Sequence, residues 1–122
     1  MILLALIASL VGDGTSVPAF PSGPPPDLVC RVSAAVSLEP STLRSRVDTD
    51  STIYTLRRGR LFLAPTDRSE YEYGALVEQE PLRYRVGHKV IVFEAASFAN
   101  AIVTHVHPLD LRVLRLRCTK AV

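Results

Sequence analysis

The sequence contains no tryptophan, one methionine, two cysteines and six glycines among its 122 residues. Without Trp the commonest sugar-stacking side chain is missing, although four Tyr remain. Two cysteines are too few for a multi-bridge scaffold, and no Cys-x-x-Cys spacing offers a redox-active pair. Lysine is scarce: only Lys89 and Lys120 stand beside twelve Arg, a compositional habit of GC-rich bacterial genomes. The formal net charge of +2 is too mild to argue for nucleic acid. No Gly-x-Ser-x-Gly, phosphate-binding Gly-Lys-Ser/Thr loop, Gly-x-Gly-x-x-Gly or His-Glu-x-x-His occurs, which removes the commonest hydrolase, nucleotide and zinc-protease signatures. No cofactor is implied.

Long apolar runs are missing as well. Met1 to Val11 carries no charge, but it is shorter than the roughly 20 residues a membrane-spanning helix needs. Its length matches the apolar core of a secretion signal. Val17-Pro18-Ala19 offers a small-x-small cleavage site before Phe20. We read residues 1–19 as a signal peptide, although no Lys or Arg precedes the apolar run. Its removal takes away Asp13 and raises the charge to +3. No Cys lies near the cleavage site, which argues against a lipid anchor.

Pro18, Pro21, Pro24, Pro25 and Pro26 crowd the next stretch. Proline lacks an N–H and fixes φ, so residues 20–27 read as an extended, solvated linker. A single domain is expected over 28–122. Cys30 and Cys118 lie at its two ends. In an exported chain that spacing points to one disulfide, which makes the first and last strands neighbours. The expected location is periplasmic or extracellular, with no transmembrane helix in the mature chain.

Within the domain, short strand-like runs alternate with turn signals about every ten residues. Arg58-Gly59 reads as a tight hairpin turn. Glu70-Tyr71-Glu72-Tyr73 and Leu82-Arg83-Tyr84-Arg85-Val86 alternate with period two, and Gly74 suggests a bulge or bend. Pro40 to Val47 and Glu94 to Ala101 are the only stretches that suit a helix, of one or two turns each. The expected fold is all-β: an antiparallel meander of seven or eight strands, rolled or closed into an up-and-down barrel and tied by Cys30–Cys118. A two-sheet sandwich is the alternative. The expected interior is Leu82, Tyr84, Val86, Val90, Val92, Leu114 and Leu116, with Tyr54, Leu56 and Phe62.

Three groups of residues could carry function. Arg83 and Arg85 share one side of a strand, as do Arg115 and Arg117, and guanidinium groups grip carboxylates and phosphates. With Tyr71 and Tyr73 they define an expected outer Arg/Tyr face, which would bind a protein or an anionic envelope component. The plainer reading is a solvated face balanced by Glu70, Glu72, Glu78 and Glu80. Second, a barrel interior can hold a small apolar ligand, although a filled core is expected at this size. Third, His105 and His107 share a strand face, and with His88 they could ligate a metal in a metal-dependent enzyme. The leading expectation is a non-enzymatic exported binding module.

Overall fold

A computed structural model describes residues 22–121. The expected signal peptide and its cleavage site lie outside the described residues. Ten antiparallel strands form one sheet: β1 (Leu28–Leu38), β2 (Ser45–Asp48), β3 (Ile53–Arg57), β4 (Arg60–Ala64), β5 (Tyr71–Ala75), β6 (Val77–Glu80), β7 (Arg83–Val86), β8 (Lys89–Phe93), β9 (Asn100–His107) and β10 (Asp110–Lys120). No helix occurs among the described residues. In the two stretches that suited one, Leu43 and Phe98 sit at φ 59° and 58°, which a right-handed helix does not accommodate. The first stretch instead yields the short polar strand β2.

The lateral order is β5-β4-β3-β1-β10-β9-β8-β7-β6, with β2 pairing the far half of β1. The two edges of this order, β5 and β6, are separated only by Leu76. They are the two halves of one bent strand, the first paired with β4 and the second with β7. Counted that way the wall has eight staves and is a nearly closed barrel. Gly74 lets the two edges approach closely: a Cβ there would lie 3.1 Å from Val86 Cγ2 on β7, which would have to shift by a few tenths of an ångström. The register slips between Leu61 and Phe62, leaving Tyr73 as the extra residue of a β-bulge, the bend that Gly74 signals.

The expected bridge is present, joining Cys30 and Cys118. These residues stand directly opposite each other in a β1–β10 register running from Leu28–Lys120 to Leu38–Leu111. The first and last strands are therefore neighbours, but they meet in the middle of the sheet order. The remaining seam lies between β5 and β7.

The interior is filled by side chains. Leu56, Leu61, Tyr84, Ile91, Val103, Leu114 and Leu116 are among its fully buried members. Tyr84 packs edge-on against Phe93, and Phe93 against Phe98. Burying each such aliphatic or aromatic side chain contributes about 1.5–3 kcal/mol. Two strands have the opposite phase from that expected. Ile91 and Phe93 face inward rather than Val90 and Val92, and Leu61 and Leu63 rather than Phe62. The cause is pairing: inward Tyr84 stands opposite Ile91, and inward Tyr54 opposite Leu63, and cross-strand partners share a face.

The proline-rich segment is docked from Gly23 onward rather than solvated. The Gly23 amide donates to Glu78 Oε1 (2.9 Å), and its carbonyl accepts from the Tyr84 hydroxyl (2.9 Å). Pro25 is buried. No helix of the described residues is long and apolar enough to cross a membrane.

Candidate functional site

One end of the barrel is polar. The inward residues of β8, β9 and β10 there form a row, Lys89–His105–Arg112, in direct register. Their placement follows from alternation: counting back from inward Leu114 puts Arg112 and Asp110 on the same face of β10. Lys89 is set by its turn. Gly87 and His88 form a two-residue hairpin loop, so Lys89 stands opposite Val86 and shares its inward face. Gly87 takes φ 58°, as the first central residue of a II′ turn requires.

These side chains border a pocket of about 230 Å³. Tyr54, Leu63, Tyr71 and Tyr73 line the opposite wall, and Asp50 and Thr52 the rim. Lys89 is 4% exposed. Its Nζ lies 3.1 Å from His105 Nδ1, 5.4 Å from the Tyr73 ring centre and 5.6 Å from that of Tyr54. His105 Nε2 faces Asp110 Oδ2 at 3.5 Å. Arg112 grips the same carboxylate through two bonds of 3.0 Å and reaches Asp50 Oδ2 at 3.4 Å. Asp110 is thus anchored by Arg112 and oriented toward His105, and among the described residues no carboxylate contacts Lys89 directly. With Nδ1 taken up by the lysine, the imidazole proton belongs on Nε2, toward Asp110.

Burial sets the protonation. Desolvation, helped by the positive charge of Arg112, lowers the Lys89 ammonium from 10.5 to about 8. Burial followed by the Lys89 charge pulls His105 below its ordinary 6.5. Burial also raises the Tyr54 phenol. At neutral pH the pocket holds an uncharged imidazole, an uncharged phenol and a lysine that gives up its proton easily.

A larger groove of about 680 Å³ runs beside β2 and the start of β10. It is lined by exposed or half-buried residues, and Ser37 and Asp48 are already bonded to each other within it (2.7 Å). We place the candidate site in the smaller pocket, where the buried titratable groups converge.

No family model, curated protein or solved structure matches this chain. Its chemistry therefore rests on these residues alone.

The expected residues are distributed differently from the single face anticipated. Arg83, Arg85, Arg115 and Arg117 all point outward and are exposed. β8 and β9 separate the two pairs, a lateral distance of about 14 Å at normal strand spacing. Tyr71 and Tyr73 belong to the mouth of the barrel. Tyr71 stands opposite inward Leu63, so the tyrosines and the arginines lie on opposite faces of the wall. The combined Arg/Tyr face does not form.

Arg117 instead stands directly opposite Arg31 on β1, with Arg115 two residues along. Among the described residues none of these three has a carboxylate partner, whereas Arg57 and Arg60 are paired with Glu70 and Glu72. The histidines do gather: His88 lies 5.0 Å from His107 and 6.2 Å from His105, between ring centres. Among the described residues no three ligating side chains converge on a metal-ion position. The lysine beside His105 also opposes a cation there.

Lys89, Asp110 and Arg112 were not among the expected site residues. The signal for Lys89 was available in the two-residue turn Gly87-His88, which places Lys89 opposite Val86.

Proposed function

We propose that this protein is a non-enzymatic binding module that takes an acceptor oxygen of a small ligand, carbonyl or carboxylate, into the mouth of its barrel. The observation carrying this reading is Lys89, buried with one hydrogen-bonding partner among the described residues. An ammonium has three donors, so the remaining ones are available to a guest. A buried lysine adds nothing to packing that methionine would not supply, and its desolvation costs stability. Tyr71 and Tyr73 offer flat walls to an apolar or aromatic body. The pocket is smaller than the roughly 300–1,000 Å³ of sites for drug-sized molecules, which suits a small molecule or one protruding group of a partner. Titration with benzoate, followed by NMR, is expected to move the signals of Tyr71, Tyr73 and His105 saturably, and Lys89→Met to abolish the response. Unmoved signals at millimolar benzoate would sink the reading.

A second reading is supported by the Arg31–Arg117 pair. Like charges directly opposite each other on a sheet are unfavourable, and an anionic partner relieves them. The disulfide supports an oxidising, exported setting in which an acidic protein or an anionic envelope component is available. Retention on a heparin column separates site from bulk charge. Arg31, Arg115 and Arg117→Gln together should elute at clearly lower salt than Arg57, Arg58 and Arg60→Gln, which carries the same charge change. Equal elution would leave only net charge.

A further inference from the structure

We infer that Lys89 is a nucleophile that captures small aldehydes as an imine, with His105 as its base and Asp110 as the group that orients the base. This rests on the mouth being a ligand site and narrows the ligand to a carbonyl compound. The geometry is that of an activated nucleophile: an attacking group within hydrogen-bonding reach of a base, and the far nitrogen of the base facing a carboxylate across a looser contact. Here the distances are 3.1 Å from Nζ to His105 Nδ1 and 3.5 Å from His105 Nε2 to Asp110 Oδ2. Arg112 fixes Asp110 from the far side. A lysine present only to form an ion pair would contact the carboxylate itself. In this site the imidazole stands between them.

The groups facing Lys89 come from every wall. β9 supplies His105, β10 supplies Asp110 and Arg112, β3 supplies Tyr54, β5 supplies Tyr73, and Asp50 stands at the rim. The two carboxylates favour the charged lysine and Arg112 opposes it, so burial, the largest influence, is what weakens its hold on the proton. Its lowered pKa of about 8 means that a substantial fraction is neutral amine just above neutral pH.

The step balances without oxidant or metal. The Nζ lone pair adds to the carbonyl carbon, and the C=O pair moves to oxygen. His105 Nδ1 takes a proton from nitrogen and passes it to the alkoxide oxygen, which gives the neutral carbinolamine and returns the imidazole to its uncharged form. The carbinolamine then loses its hydroxyl as water, the nitrogen loses its second proton, and the C=N bond forms. Amine and aldehyde give imine and water, reversibly.

The chain provides its own control, because Lys120 is its only other lysine and is exposed. The full chain is incubated with benzaldehyde and cyanoborohydride at pH 8, and the trapped adducts are mapped by peptide mass spectrometry. The expected result is trapping at Lys89 at least about tenfold faster than at Lys120, because an ordinary lysine is almost wholly protonated at that pH. His105→Gln should slow trapping at Lys89 by about a hundredfold, the usual worth of a positioned base. Lys89→Met should lose that adduct while remaining folded. Adducts confined to Lys120 and the α-amine would overturn the inference, as would equal trapping at Lys89 in His105→Gln. Benzoate separates the two readings. If it still moves the Tyr71 and Tyr73 signals while Lys89 stays unmodified, the pocket is a binding site and the covalent step is wrong. If benzoate also fails, both fall.

Discussion

Val86 and Lys89 stand opposite each other across the Gly87-His88 turn, and both side chains enter the barrel. One lies in the apolar core and the other at the polar mouth, so a two-residue loop determines that a lysine is buried. Everything proposed for the pocket depends on that pairing.

Burying this lysine costs the fold stability at neutral pH. Its folded pKa, about 8, lies below the 10.5 of a free lysine. Below pH 8 both folded and unfolded chains carry the charge, and the fold bears its desolvation. Above it the folded chain sheds a proton that the unfolded chain keeps, so stability rises with pH. The rise should be visible between about pH 8 and 9.5, below the range in which exposed tyrosines ionise. Lys89→Met should stabilise the protein by about 1–3 kcal/mol at pH 7 and flatten the rise, as urea denaturation at several pH values would show.

His105 gives a test on the acid side. Its folded pKa is lowered by burial and by Lys89, so the unfolded chain binds the proton first. Stability should therefore fall as pH drops below about 6.5. His105→Gln should remove that part of the loss. An unchanged acid limb in the variant would mean that other groups govern it.

Gly87 is a third test. Its φ of 58° suits glycine, and a Cβ there would lie 3.0 Å from Tyr73 Cε2. Gly87→Ala should cost about 1–3 kcal/mol in unfolding free energy, from strain and from displacing the Tyr73 ring. Adding Tyr73→Ala should abolish the steric part of the turn penalty and leave the conformational part. A double-mutant cycle with no coupling would show that ring and turn do not touch.

Opening the Cys30–Cys118 bond by Cys→Ala at both positions should cost about 2–4 kcal/mol in denaturant unfolding. The variant should still fold, because β1 and β10 pair along their whole length independently of the bond.

The barrel was legible in the sequence because its turns are local. Arg58-Gly59, both at positive φ, and His107-Pro108-Leu109-Asp110 each imply a hairpin. The cysteines implied that the first and last strands meet. What escaped was set at long range. Val90-Ile91-Val92-Phe93 is apolar at every position, so only its pairing with β7 decides which residues face in. Glu70-Tyr71-Glu72-Tyr73 separates two faces clearly, but nothing within it says that the tyrosines belong inside. β2 is polar and exposed, with no alternation to reveal it; only its pairing with Val36 and Leu38 makes it a strand. The pocket escaped for the same reason. Its residues come from β3, β4, β5, β8, β9 and β10 and from the segment before β3, and no local pattern joins them.

The central place of the β1–β10 pairing has a consequence for when the molecule can form. On the barrel wall β1 joins the β3–β4–β5 block to the β6–β10 block, and its partner in the second block is made last. Until Asp110 to Lys120 emerge, the two blocks have no ladder linking them through β1, and Cys30 has no thiol to meet. Such a topology delays completion of the fold until synthesis of this segment ends, and its distant contacts slow folding further. Trapping nascent chains that stop before Asp110 should find them protease-sensitive, with protection appearing only once β10 is complete.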